Sequence, residues 1–107
     1  MFITVFHTAF EDQPIKIARV EALGDTVEQC LEYAYRWTQN IEGSWSIKNG
    51  NPDNNPAVTV LADLHVAEDG QEWGHRSTSV RDRMQVEGAN DVYEVANIGF
   101  KLVDKAA

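Results

Sequence analysis

Phe2-Ile3-Thr4-Val5-Phe6-His7-Thr8-Ala9-Phe10 is the stretch that decides the architecture. Side chains alternate along an extended chain, so Phe2, Thr4, Phe6 and Thr8 share one face and Ile3, Val5, His7 and Ala9 the other. Both faces are rich in apolar or β-branched residues, as in a strand well inside a sheet. His7 then sits among apolar neighbours, where a lone histidine reads as a hydrogen-bonded structural residue. Glu11-Asp12-Gln13-Pro14 makes a turn, and Ile15-Lys16-Ile17-Ala18-Arg19-Val20 alternates as a second strand. The two strands are expected to form a hairpin.

A helix follows. Thr26 and Gln29 stand at capping-box spacing after Gly24-Asp25. Val27, Cys30, Leu31, Ala34, Trp37, Thr38 and Ile41 then recur at intervals of three and four, which places one apolar stripe on a helix from 26 to 41, ended by Gly43. Glu28, Glu32, Arg36, Gln39 and Asn40 fall on the other side, with Glu32 and Arg36 spaced for an ion pair one turn apart. Cys30 lies on the stripe and reads as a small buried hydrophobe.

The polar run from Glu42 to Pro56 holds Asn49-Gly50, Asn51-Pro52 and Asn55-Pro56, all turn formers. It lacks the acidic spacing and closing glutamate of a calcium loop. Trp45 is expected to pin it to the core. Ala57-Val58-Thr59-Val60-Leu61 is a short strand, and the next segment carries Asp63, Glu68, Asp69 and Glu72 and reaches Trp73. Met84-Gln85-Val86-Glu87 turns at Gly88-Ala89-Asn90-Asp91 into one long strand from 92 to 103, with a bulge or close approach at Gly99.

At 107 residues there is room for a single domain with one core. The formal charge is −8, from 17 acidic and 9 basic residues, which argues against non-specific binding to nucleic acid or an anionic membrane. One cysteine excludes an internal disulfide and a cysteine-based zinc site. No apolar run approaches ~20 residues and the N-terminus has no basic leader, so the expected location is the cytoplasm.

Gly74 to Val86 is the one dense basic segment, with Arg76, Arg81 and Arg83 beside His75, Ser77, Thr78, Ser79 and Asp82. One reading makes it a structured corner, with Ser77 or Ser79 capping a helical turn through Arg81 and Asp82. Replacing Ser79 or Asp82 by Ala would then cost about 1 kcal/mol. The other reading makes Arg76, Arg81 and Arg83 forked donors to an anion or a partner. Ser77 or Ser79 with His75 and Asp82 lacks the Gly-x-Ser-x-Gly elbow of a nucleophile. His7, His65 and His75 contain no short-spaced metal-ligand pair. No glycine-rich phosphate loop is present, and no cofactor is expected.

Three blocks resemble a known group: Tyr35-Arg36-Trp37-Thr38-Gln39-Asn40-Ile41 with Trp45, then Arg76-Ser77-Thr78-Ser79-Val80-Arg81-Asp82, then Tyr93-Glu94-Val95-Ala96-Asn97-Ile98-Gly99-Phe100. The group comprises small uncharacterised proteins of phages, plasmids and integrative elements. They share a Thr-Asn helix end, an Arg-Ser-x-Ser-Val-Gly-Asp core and a Gly-Phe close. The core also resembles the YodL-like domain of conjugative elements, found beside antirestriction genes and inside large polyvalent proteins. The resemblance spans residues 27 to 103, and it implies a mobile-element context. Arg81 stands where the pattern has glycine. If that glycine serves a positive φ, the turn here must differ; if it only relieves crowding, Arg81 adds a charge.

The expected fold is a single α+β domain, with a mainly antiparallel sheet of about five strands and one long helix packed on one face. The expected function is non-enzymatic: binding a host protein or nucleoprotein complex, such as a restriction or CRISPR effector, through Glu28, Glu32, Glu68, Asp69 and Glu72. The alternatives are a small nuclease using His65 or His75, or an accessory domain holding its own element's proteins through Arg76, Arg81 and Arg83. Monomer and homodimer are both compatible with the sequence.

Overall fold

The apolar strand at the N-terminus does lie inside a sheet. A computed structural model describes residues 1–104. In chain order the elements are β1 (Phe2–His7), β2 (Ile15–Glu21), α1 (Val27–Arg36), β3 (Val58–Val60), β4 (His65–Val66), β5 (Glu72–Trp73), β6 (Arg83–Val86), β7 (Val92–Val95) and β8 (Phe100–Asp104). Six strands form one antiparallel sheet in the order β3-β2-β1-β6-β7-β8, and β4 pairs with β5 in a separate hairpin. The class is α+β, with six strands rather than five.

The odd-numbered residues of β1 face the helix: Ile3, Val5 and His7 are buried there, with Val20, Met84, Val86 and Val95 on neighbouring strands. Cys30, Leu31 and Ala34 close the core from α1. Each large side chain removed from water in this way contributes about 1.5–3 kcal/mol. The register of β1 against β2 shifts between Val5 and Phe6, leaving Ile17 without a cross-strand partner, and Ile17 and Ala18 are both buried. The opposite face carries ion pairs: Arg19 grips Glu87 through Nε and Nη2 at 2.7 and 3.1 Å, and Thr4 donates to the same carboxylate at 3.2 Å.

Two boundaries differ from expectation. The helix is capped as the spacing indicates, with Gln29 N–H donating to Thr26 Oγ1 at 3.2 Å and Gln29 Oε1 accepting from the amide of Asp25 at 2.7 Å. It ends at Arg36, not at 41. Thr38 donates its hydroxyl back to Ala34 O at 2.8 Å, and the backbone beyond it is taken up by side chains from elsewhere. Ile41 is consequently exposed instead of continuing the stripe. The expected pair between Glu32 and Arg36 is also absent, because Arg36 turns to Asp53 at 3.7 Å and stacks 4.3 Å from the Trp37 ring centre.

The second difference is at the C-terminal end. The run from 92 to 103 is not one strand: it folds back at Ala96–Gly99, where the Ala96 amide donates to Gly99 O at 3.0 Å and Gly99 takes φ +70°. Asn97-Ile98-Gly99 is turn chemistry, and glycine supplies the left-handed residue that such a hairpin needs. Ile98 is left at the tip, 94% exposed. This fold-back is what adds the sixth strand.

Val80 and Arg81 are the central residues of a turn closed by Asp82 N–H donating to Ser79 O at 3.0 Å. Arg81 takes φ +81°, the value of the third residue of a type II turn, where glycine is favoured. The turn therefore keeps the left-handed geometry and the arginine bears it. A residue with a Cβ pays roughly 1–2 kcal/mol there, partly offset by its smaller chain entropy when unfolded. Arg81→Gly should raise stability by about 1 kcal/mol, read as a higher midpoint in urea. A lowered midpoint would show that the arginine contributes more than its strain costs.

Candidate functional site

The segment from His75 to Asp82 is tied to three other parts of the chain. Asp82, fully buried, is the hub. Its Oδ1 accepts from the amides of Thr8 and Ala9 at 2.8 and 3.0 Å, and its Oδ2 from the amide of Ser79 at 2.7 Å. Arg76 donates to both oxygens, Nη1 to Oδ2 at 2.7 Å and Nη2 to Oδ1 at 2.8 Å, and also forks onto Glu11 at 2.8 and 3.1 Å. Burial alone would push the Asp82 carboxyl up, but Arg76 and the amides of Ala9, Ser79 and Thr8 outweigh it and hold it below the usual carboxylate range. The Arg76 hydrogen bond likewise holds Glu11 low.

A chain of hydroxyls runs beside this hub. Thr38 donates to Ala34 O, and Thr78 donates to Thr38 Oγ1 at 2.8 Å. Each hydroxyl has one proton, so Thr78 accepts from His7 at 3.1 Å, and His7 carries its proton on Nε2. The Thr78 amide donates to Thr38 O at 3.0 Å and Gln39 Nε2 to Thr78 O at 2.8 Å, so the helix end and the basic segment are locked together. His7 is thus a hydrogen-bonded core residue, 2% exposed.

The long polar loop is ordered by the same device. Asp53 Oδ2 accepts from the amides of Ile41, Glu42 and Gly43 at 2.8, 2.8 and 2.7 Å. Burial works to raise its pKa, but these amides and Arg36 hold it below the ordinary value. Trp45 is fully buried and donates Nε1–H to Arg76 O at 3.0 Å, which pins the loop to the core and to the basic segment.

The residues singled out from sequence fall into two sets. Ser77 and Asp82 hold backbone: Ser77 Oγ accepts from the Asn40 amide at 2.8 Å. Ser79 contributes its amide and not its hydroxyl, which makes no hydrogen bond to the described residues, so the capped helical turn is replaced by an aspartate-held β-turn. Arg76 is engaged internally and its side chain is only 28% exposed, which leaves it poorly placed as a forked donor to an outside anion. Arg83 makes a 3.4 Å pair with Glu94, and Arg81, exposed, has no ion-pair partner among the described residues.

The acidic set is solvated. Glu28 and Glu32 lie exposed on α1, and Glu68, Asp69 and Glu72 on the β4–β5 hairpin; none forms an ion pair with a described residue. That hairpin went unread in the sequence, although Asp69-Gly70 signals its turn: the Gly70 amide donates to Ala67 O at 2.9 Å with φ +85° at Gly70. All of its strand residues are exposed, Trp73 by 59% and Val66 by 57%. His65 packs edge-on against Trp73 at 5.2 Å. His75 donates Nε2–H to Ala62 O at 2.8 Å, and its ring lies 6.1 Å from that of Trp45. Arg76, next to His75 in the chain, is committed to Asp82 and Glu11. Among the described residues no group of three His, Cys, Asp or Glu side chains is placed to hold a metal, and no helix is long and apolar enough to cross a membrane. No protein-family model, curated protein or solved structure matches the chain.

Proposed function

We propose that this chain is a non-enzymatic accessory protein of a phage or other mobile element that binds a host factor and inhibits a defence effector by occupying its basic groove. The β4–β5 hairpin carries the reading. It stands exposed, with Trp73 beside His65 on one face and Val66 beside Glu72 on the other, and the segment adds Asp63, Glu68 and Asp69 with no lysine or arginine between Ala57 and His75. A hairpin that carries an exposed tryptophan and several carboxylates without ion-pair partners suits a surface that is cationic and partly apolar, as grooves that hold nucleic acid are. The mobile-element context comes from the sequence resemblance alone. Within the basic segment Arg76 is used by the aspartate hub to hold the fold, which leaves Arg81 and Arg83 as its exposed cations.

The test is affinity capture from host lysate treated with nuclease, with identification of what is retained. Reversing Glu68, Asp69 and Glu72 to lysine should weaken capture by at least about tenfold and flatten its dependence on salt. Retention that survives the reversal removes the hairpin from the interface. Cleavage of RNA or DNA by the pure protein, abolished by His65→Ala or His75→Ala, would establish the nuclease alternative instead.

A further inference from the structure

Between α1 and the β7–β8 hairpin runs a groove, unconnected in sequence with the β4–β5 hairpin. It comprises two hollows, of about 270 and 370 Å³, that share Phe100 as a lining residue. The first is lined by Tyr35, Val80, Val95 and Phe100, the second by Leu31, Tyr93 and Phe100. Aromatic and aliphatic side chains thus alternate with polar ones, Asn97 in the first hollow and Thr26 in the second, and Tyr35 is set edge-on to Phe100 at 6.3 Å. The helix contributes two carboxylates: Glu32 borders the first hollow, and Glu28 borders the second with its Oε1 reaching towards Gly99 of the hairpin turn. Neither carboxylate has an ion-pair partner among the described residues, because Arg36, the cation spaced to pair with Glu32, is held by Asp53 and Trp37. The opposite wall ends in the hairpin tip, with Ile98 almost wholly in solvent.

We propose that this groove binds an extended peptide segment of a partner protein, with lysine or arginine at alternate positions facing Glu28 and Glu32 and an apolar or aromatic side chain seated against Phe100. Charge and spacing select that occupant. Glu28 and Glu32 are one helical turn apart, roughly 6 Å along the axis, and alternate side chains of an extended strand repeat at about 6.8 Å. One face of such a strand can therefore present a cation to each carboxylate while the intervening residue points elsewhere. The proposal rests on the binding-protein reading but uses a different surface from the hairpin.

The probe is a random-peptide display library panned against the intact immobilised protein, with enriched peptides then titrated in solution. Enriched sequences should carry two basic residues at alternate positions beside an aromatic or large aliphatic one. Affinity should fall at least tenfold in Glu28→Lys/Glu32→Lys, whose exposed positions leave the core untouched. It should be unchanged in Glu68→Lys/Asp69→Lys, which alters the same net charge at the other surface. Peptides enriched without that pattern, or affinity lost equally in both variants, would overturn the groove. Host-factor capture that persists while peptide binding fails would leave the function proposed above standing and remove only this site.

Discussion

Asp82→Ala should destabilise the protein by about 4 kcal/mol, within the 3–5 kcal/mol typical of stripping one partner from a buried ion pair. Three amides, of Thr8, Ala9 and Ser79, would lose their acceptor inside the molecule. The Arg76 guanidinium would keep Glu11 but lose the partner that neutralises it in the interior. Asp82→Asn tests the charge apart from the shape. The amide oxygen can still accept from part of this set, but its NH₂ faces donors, so the variant should fall between wild type and Asp82→Ala. Urea unfolding with unchanged slope would give both values. Ser79→Ala, by contrast, should be nearly neutral, since only its amide is used. A loss below about 1 kcal/mol in Asp82→Ala would mean that the three segments are held by packing and that the hub is incidental.

Local pattern made the framework legible. Period-two alternation placed β1 and β2, the turn signal at Gly88 to Asp91 placed β6, and the Thr26 cap with the 27–34 stripe placed α1. The errors fall where distant side chains override local preference. The 37–41 run is helical by spacing, yet Ser77 and Asp53 take the amides of Asn40 to Gly43 for themselves. The long last strand was misread because Asn97-Ile98-Gly99 interrupts an apolar run whose alternation resumes after it. Of the basic segment, the sequence conveyed that it was a corner but not which residue built it. Serines advertise capping from their side chains, whereas Asp82 gathers donors from residues more than seventy positions away, for which no spacing rule exists. The exposed acidic residues were legible as solvated surface, and the fold adds what composition cannot: Glu68, Asp69 and Glu72 fall on one exposed hairpin and Glu28 and Glu32 on the helix.

His7 should give the protein a second, separable loss of stability as pH falls. Burial is the largest influence on its imidazole and lowers the pKa to about 4; Asp82 and Glu11 pull the other way, and Arg76 and His75 add to the lowering. The unfolded chain returns the group to about 6.5, so between pH 6.5 and 4 the unfolded state binds the extra proton and stability falls as pH falls. The contribution is fully present above pH 6.5 and lost by about pH 4, and at roughly 1.4 kcal/mol per unit it amounts to about 3 kcal/mol. The depressed carboxylates Asp82 and Glu11 act in a lower window: their contribution is intact above about pH 4 and disappears only as pH falls through their still lower folded values. Urea midpoints measured from pH 7.5 down to 4.5 should therefore slope in the wild type and flatten in His7→Gln. Glutamine has an amide that can still donate to Thr78 Oγ1 without titrating, so the variant keeps the hydroxyl chain to Thr38 and Ala34. Equal slopes in both proteins would show that protonation of His7 is accommodated in the folded state, with the 3.9 Å approach of Nε2 to Asp82 Oδ2 becoming a true ion pair.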